Sequence, residues 1–412
     1  MKNLMMGSAL ALMATALGGC KTPDASTGAG NTGGKTNTST GASSNSGASG
    51  KVSRAKPYSH DDILLGEYAS LTGSEATFGL STHAGILMAV AEANAKGGVL
   101  GKKIRVQVED DGGQTTQVPS VIRKLIDEAG VLAILGEVAS SNSLAAAPIC
   151  QEAGVPMLSP SSTNPKVTQK GDYIFRSCFI DPFVGTAMAK FARQNLKAKI
   201  AAILVDGDSD YSKGLRDFFT QSFQAQGGKI AATVEYVKGD TDFRAQLTKI
   251  KGAKPDVIFI PGYYTDVANI AVQARSSNVN QTLLGSDGWD SPDLFKIGKK
   301  AIQGSYISNH YSPGSTDPRV VKFVADYKKR NKGQTPDALA AVGYDAAGVM
   351  IDAIRRAGST DRGKIRDALA TTKGFPGVTG TITMDKDRNA QKPLTILQIS
   401  GNGYKYVTTV KP

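Results

Sequence analysis

From Ile63 onward, short apolar runs of strand-like length alternate with longer runs whose apolar residues recur at three- and four-residue spacing, and no other feature constrains the chain as strongly. The alternation predicts an α/β fold. Strands are expected at 63–70, 104–109, 131–138, 156–159, 200–206, 231–236, 257–261 and 282–286, with helices between them. The run 84–94 shows the helical kind, with Leu87, Val90, Ala91 and Asn94 on one side and Gly97-Gly98 as its stop. One open sheet holding every strand would be unusually wide for 412 residues, so the economical arrangement is two doubly wound lobes. The first opens at Asp61 and the second at Asp181-Pro182. Patterning alone does not distribute the late helices at 319–371 or the strands at 379–383 and 394–399 between them.

Ahead of the fold stands Lys2, an apolar run from Leu4 to Leu17, then Gly18-Gly19-Cys20. This reads as an export signal over residues 1–19, because the run falls short of the roughly 20 residues a membrane span needs. Leu17-Gly18-Gly19-Cys20 resembles the lipobox of bacterial lipoproteins, which implies lipidation of Cys20 and a membrane-held N-terminus. A small-residue cleavage site containing a cysteine by chance would look the same. Residues 20–60 are mostly Ser, Thr, Gly, Asn and Ala without apolar periodicity, the composition of a flexible tether.

The formal net charge of +12 raises nucleic acid as a partner. Six of the positive residues precede Asp61, however, which leaves about +7 on the folded part, scattered among acids on helical segments such as 322–332. With an export signal, that pattern excludes a genomic partner. Besides Cys20 there are two cysteines, Cys150 and Cys178, in a chain bound for a compartment where disulfides persist, and the expectation is that they pair. Two separate buried thiols are the alternative.

Two polar turns carry the chemistry. Ala139-Ser140-Ser141-Asn142-Ser143 follows an apolar strand and opens a helix, so free backbone N–H groups, the helix dipole and hydroxyls meet where a carboxylate could bind. Helix capping alone would also place serines there. A second turn, Ser159-Pro160-Ser161-Ser162-Thr163-Asn164-Pro165, follows the next strand and brings more hydroxyls to the same sheet edge. In the second lobe Tyr211, Tyr263-Tyr264 and Asp287 each follow a strand. Donors on one wall, with an acid and aromatic faces on the other, match a zwitterion with an apolar side chain.

Enzyme signatures are missing. The three histidines, His60, His83 and His310, sit in no metal or triad motif, and no nucleophile elbow, phosphate loop or dinucleotide fingerprint occurs. Asp206-Gly207-Asp208-Ser209-Asp210 looks like a calcium loop but has Tyr211 where the turn needs glycine. The chain is therefore expected to be a binder without metal or cofactor.

At Ala93-Asn94-Ala95-Lys96-Gly97-Gly98, Ser159-Pro160 with Thr163-Asn164-Pro165, Gly239-Asp240-Thr241-Asp242-Phe243, and Gly262-Tyr263-Tyr264 leading to Gln273-Ala274-Arg275, the chain resembles the branched-chain amino acid (Leu/Ile/Val) binding proteins of ABC importers, with the type I periplasmic-binding fold. The resemblance runs from Asp61 to Pro412. It implies that Ser140 and Ser141, with Ser162 and Thr163, hold an α-carboxylate, that Asp287 holds the α-ammonium, and that Phe78, Tyr211 and Tyr263 close over the ligand, with Tyr344 at a further aromatic position. It also implies three crossings between lobes, near 179–182, 309–312 and 374–378. Residues 61–180 and 312–374 would then form lobe 1, and 181–311 and 375–412 lobe 2. Asp287 stands where the best-known members have Glu, and their disulfide positions here read Gly113 and Ala139. The function so implied is that of an extracytoplasmic, lipid-anchored monomer that captures an amino acid, branched-chain aliphatic in the first instance, for an ABC permease in the cytoplasmic membrane. A ligand-sensing receptor, or a binder of an amide, urea or aromatic acid, is the alternative.

Overall fold

The computed structural model describes residues 54–412; the export segment, Cys20 and the tether up to residue 53 lie outside the described residues. The first sheet is built from β1 (Ile63–Ala69), β2 (Ile104–Asp110), β3 (Ala133–Leu135), β4 (Met157–Ser159) and β5 (Ile174–Arg176). Its order is β2-β1-β3-β4-β5, parallel throughout. Parallel neighbours require crossover helices, supplied by α1 (Ala76–Ala95), α2 (Val118–Arg123) and α3 (Ser140–Ala153).

The chain then crosses to a second sheet through α4 (Asp181–Gln194). There β6 (Ile200–Asp206), α5 (Asp210–Ala225), β7 (Lys229–Tyr236), α6 (Arg244–Gly252), β8 (Val257–Phe259), α7 (Tyr264–Ser276), β9 (Thr282–Gly285), α8 (Pro292–Gly298) and β10 (Tyr306–Asn309) repeat the winding. A second crossing returns to lobe 1 for α9 (Pro318–Arg330), α10 (Ala338–Ala357) and α11 (Arg362–Ala370). α10 lies so close to α1 that a Cβ on Gly85 would stand 1.9 Å from the Ala340 carbonyl oxygen.

The third crossing comes later than expected. Strands β11 (Phe375–Gly377), β12 (Gly380–Met384) and β13 (Ala390–Gln391) form a small antiparallel sheet of their own. Ile382, Met384 and Ala390 bury in the core that holds Ile63, Leu65 and Ala346, so residues 375–391 pack with lobe 1 rather than lobe 2. The chain changes lobe at Lys392-Pro393, after which β14 (Leu394–Ser400) and β15 (Gly403–Val410) add antiparallel to β10. The second sheet thus reads β15-β14-β10-β9-β8-β6-β7. The tether also ends earlier than residue 60. Ala55 N–H donates to the Ala153 carbonyl at 3.0 Å, Arg362 donates to the Lys56 carbonyl at 2.7 Å, and the Tyr58 hydroxyl accepts from Leu64 N–H.

Cys150 and Cys178 are buried and unpaired, which corrects the expected bridge. Cys150 packs from α3 among Tyr68, Val155 and Ile174 beneath the first sheet. Cys178 lies at the first crossing, its Sγ donating to the Ser162 carbonyl at 3.4 Å. Burial pushes the Cys150 thiol far above its ordinary range and the Cys178 thiol up to about 12, so neither is a ready nucleophile. Thiol labelling of a form lacking Cys20 is expected to modify neither cysteine in the folded protein and both after unfolding without reductant. Fewer than two reactive thiols in the unfolded chain would restore the bridge.

Candidate functional site

A doubly wound sheet binds ligands where the strand order reverses, because the loops diverge there and leave a crevice. In lobe 1 that point lies between β1 and β3, and in lobe 2 between β6 and β8. The two crevices face each other.

On the lobe 1 wall, α3 begins at Ser140 with Ala139 as an extended N-cap that supplies no side-chain hydrogen bond. The serines are therefore not spent on capping, and the first-turn N–H groups keep their positive end of the dipole. Ser140 Oγ accepts from Asn164 N–H at 3.3 Å, which ties the two polar turns together. Thr163 Oγ1 is buried with no hydrogen-bond partner. Ser162 is different, because its hydroxyl faces the Glu137 and Val138 carbonyls at 2.9 and 3.0 Å and Ser143 Oγ at 2.7 Å. That side chain is engaged in holding the turn. Arg176, fully buried, braces the same turn by donating to the Asn164 carbonyl at 2.7 Å and to that of Ser162.

On the lobe 2 wall Asp287 is buried at the end of β9. Its Oδ1 accepts from the Tyr211 hydroxyl at 3.0 Å and from Ser286 Oγ at 2.7 Å, and its Oδ2 faces His310 Nε2 at 3.1 Å. Burial alone would raise its pKa, but the contact with His310 and the hydroxyls of Ser286 and Tyr211 outweigh that and hold it below the ordinary carboxylate value. Burial lowers the pKa of His310, so at neutral pH the contact is a hydrogen bond from a neutral ring.

Tyr211 stacks on Tyr263 with ring centroids 5.1 Å apart, and Phe78 from lobe 1 meets Tyr263 edge-on at 5.4 Å. The walls are joined by Ser141 Oγ to Asp210 at 3.0 Å, Asn164 Nδ2 to the Asp210 carbonyl at 2.8 Å, and Lys238 to Glu75 at 2.7 Å. Phe78, Ser140, Ser141, Thr163, Tyr211, Tyr263 and Asp287 are thereby gathered around one cleft. A cavity of about 490 Å³ at its mouth is lined from both lobes, including Ser141, Asn142, Lys238 and Tyr263. Tyr344 is not among them. Its ring packs 5.1 Å from Phe323 and its hydroxyl donates to Glu92 at 2.8 Å, within the helical layer between α1 and α10.

Three groups that the motifs did not single out also stand here. Glu137, fully buried, accepts from Ser70 Oγ at 2.7 Å and from Ser70 N–H at 3.1 Å; burial and the nearby Asp111 push its pKa well above the ordinary value. His310 has been described. Asp181, the first residue of α4, is fully buried beside the Thr163 side chain. No spacing rule marks such residues, because each becomes important only through burial against residues distant in sequence.

Burial, assisted by the neighbouring charge of Asp287, pushes Asp181 from 3.8 to about 8. Between those values the native state holds a proton that the unfolded chain has released, so this group makes stability fall as pH rises through the window and leaves it level above. Asp181→Asn should cancel that fall. Urea midpoints of the variant and the wild type are expected to diverge in the variant's favour between about pH 5 and about pH 8. A gap that does not change with pH would mean that Asp181 titrates like a solvated carboxylate.

Residues 63–404 match the family model described as periplasmic binding protein. A Leu/Ile/Val-binding protein of Rhizobium johnstonii is 32% identical over 329 residues, covering 79% of this chain and 88% of that protein. A leucine binding protein of Thermotoga maritima, solved by crystallography, is 40% identical with a TM-score of 0.82, covering 85% of this chain and 99% of that one. A branched-chain amino acid transporter substrate binding protein of Streptococcus pneumoniae, solved in complex with isoleucine, is 32% identical with a TM-score of 0.81, covering 85% and 100%. With its two facing crevices and a match that spans most of its length, the chain belongs to the periplasmic binding protein family, among the branched-chain amino acid binding proteins of ABC transporters.

Proposed function

We propose that the protein captures an α-amino acid with an aliphatic side chain between its two lobes, outside the cytoplasmic membrane, and presents it to an ABC permease. The observation that carries this reading is the pairing of opposite chemistries across one cleft. Lobe 1 offers the uncapped start of α3 and the unpartnered Thr163 hydroxyl, and lobe 2 offers the buried carboxylate of Asp287. A carboxylate suits the first wall and an ammonium the second. The stacked rings of Tyr211 and Tyr263, with Phe78 against them, give an apolar side chain its cover. The names of the relatives, which specify leucine, isoleucine and valine, support the aliphatic choice.

The protein does no chemistry in this scheme, and ATP hydrolysis falls to the permease's partner ATPase. Lipidated Cys20 holds it at the membrane as a monomer, and the tether gives it reach.

Two experiments test this. Asp287→Asn keeps the shape of the side chain and removes its charge, leaving a buried ammonium poorly compensated, at a cost on the order of 2–5 kcal/mol, or roughly 30-fold to several thousand-fold in Kd. Calorimetric titration with leucine, isoleucine, valine and other amino acids reads the difference. A folded variant that binds within about threefold of wild type, under 1 kcal/mol, would remove Asp287 from the ammonium site, and a wild type that binds no amino acid would overturn the ligand class. Cys20→Ser is expected to release the protein from membranes with ligand affinity unchanged; equal membrane retention of the variant would disprove the anchor.

A further inference from the structure

His310 is one of three histidines and is only 2% exposed. It follows β10 directly, on the second crossing. Its ring lies flat on Phe179 of the first crossing, with centroids 4.1 Å apart and planes 14° from parallel. Its Nε2 faces Asp287 Oδ2 of lobe 2 at 3.1 Å and Ser161 Oγ of lobe 1 at 3.3 Å, while Nδ1 has no partner. With Nδ1 unpartnered and Nε2 against a carboxylate, the hydrogen bonds assign the proton to Nε2.

The acceptor count of Asp287 gives this contact its weight. A carboxylate offers about four lone-pair directions. Tyr211 and Ser286 take two on Oδ1 and His310 takes one on Oδ2, which leaves a single direction for a ligand. Without His310, Oδ2 would have two open directions, and the rotation of the carboxylate would be held by the two donors on Oδ1 alone.

We propose that His310 is a positioning residue for ligand recognition: its neutral imidazole fixes Asp287 so that the remaining acceptor is held toward the cleft, and its seat between two crossings couples that orientation to lobe closure. This rests on the amino-acid reading above and extends it to a residue that touches no ligand. Ser161 and Asp287 belong to different lobes, so His310 Nε2 faces a polar atom of each lobe at once, and a change in the angle between the lobes would disturb that pair of contacts.

The test compares His310→Gln, which keeps an N–H donor at similar reach, with His310→Leu, which keeps apolar bulk against Phe179 and removes the donor. Leucine affinity, measured by calorimetry, is expected to drop by about tenfold or more in His310→Leu, as for one lost charge-assisted hydrogen bond, and to stay within about threefold in His310→Gln. In wild type labelled with 15N-histidine, the His310 signal should show a protonated Nε2 and a bare Nδ1, and should move when leucine is added. Equal losses in both variants, or an imidazole signal indifferent to leucine that has bound, would reduce His310 to packing and overturn the proposal. If His310→Leu does not fold, the Gln variant and the wild-type spectrum decide. A wild type that binds no amino acid at all fails the functional reading itself, an outcome distinct from wild-type binding that His310→Leu leaves unchanged.

Discussion

An ionised carboxylate in a nearly dry wall is the most demanding group in this molecule, and much of lobe 2 is arranged around it. Asp287 is 4% exposed, and an isolated charge so placed would neutralise itself by a raised pKa. Three donors prevent that, and each comes from a different element. Ser286 follows β9 and is itself held by Ser308 of β10 at 3.0 Å; Tyr211 lies in the first turn of α5; His310 follows β10. The register of β9 against β10, the start of α5 and the path of the second crossing must all be right before one acid can stay charged. Tyr211 passes the constraint on, since its ring stacks on Tyr263, which in turn meets Phe78 of the other lobe.

The remainder of the interface is acid-rich and largely uncompensated. Glu75, Asp111 and Glu137 from lobe 1 and Asp206 and Asp266 from lobe 2 all have raised pKa values, with burial the main cause in each case; that of Asp266 reaches about 6. Charges on facing lobes add to the effect, as Asp206 does for Glu75 and Glu75 for Asp266. Lys238 answers Glu75 directly, bonded to it and to the Gly113 carbonyl across the cleft. Bringing the lobes together thus crowds carboxyl groups whose raised pKa values let them relieve mutual repulsion by holding protons.

How much of this was legible in sequence follows from range. The α/β alternation, the opening of the second lobe at Asp181-Pro182 and the polar turns after β3 and β4 are local signals, carried by runs of apolar residues and by serines at strand ends, whereas the second crossing comes only from the family resemblance. Strands β5 and β10 escaped because three or four residues give too little periodicity to distinguish a buried strand from a loop. β15 escaped because an edge strand without a fully buried residue has no strong apolar face to read. The third crossing, which the resemblance puts near 374–378, falls later in the chain because Ile382 and Met384 bury in the core of lobe 1, a choice of lobe that apolar residues alone do not make. Ser162 and Tyr344 carry suitable chemistry at suitable positions, yet a hydroxyl facing Glu137, Val138 and Ser143, and a ring lodged beside Phe323, are tertiary facts. His310 was visible only as a histidine without a motif.

The contacts across the cleft show what a two-walled site gains from closure. Ser141 bonds Asp210, and Lys238 bonds Glu75, from one lobe to the other. Glu75 is buried, so breaking its pairing with Lys238 without letting water in would leave a carboxylate poorly compensated. On the reading proposed above, a zwitterion would add bonds to both walls at once, and could do so only when the walls are close. The ligand's differential affinity for the closed form would then be the sum of contacts that neither wall could make alone.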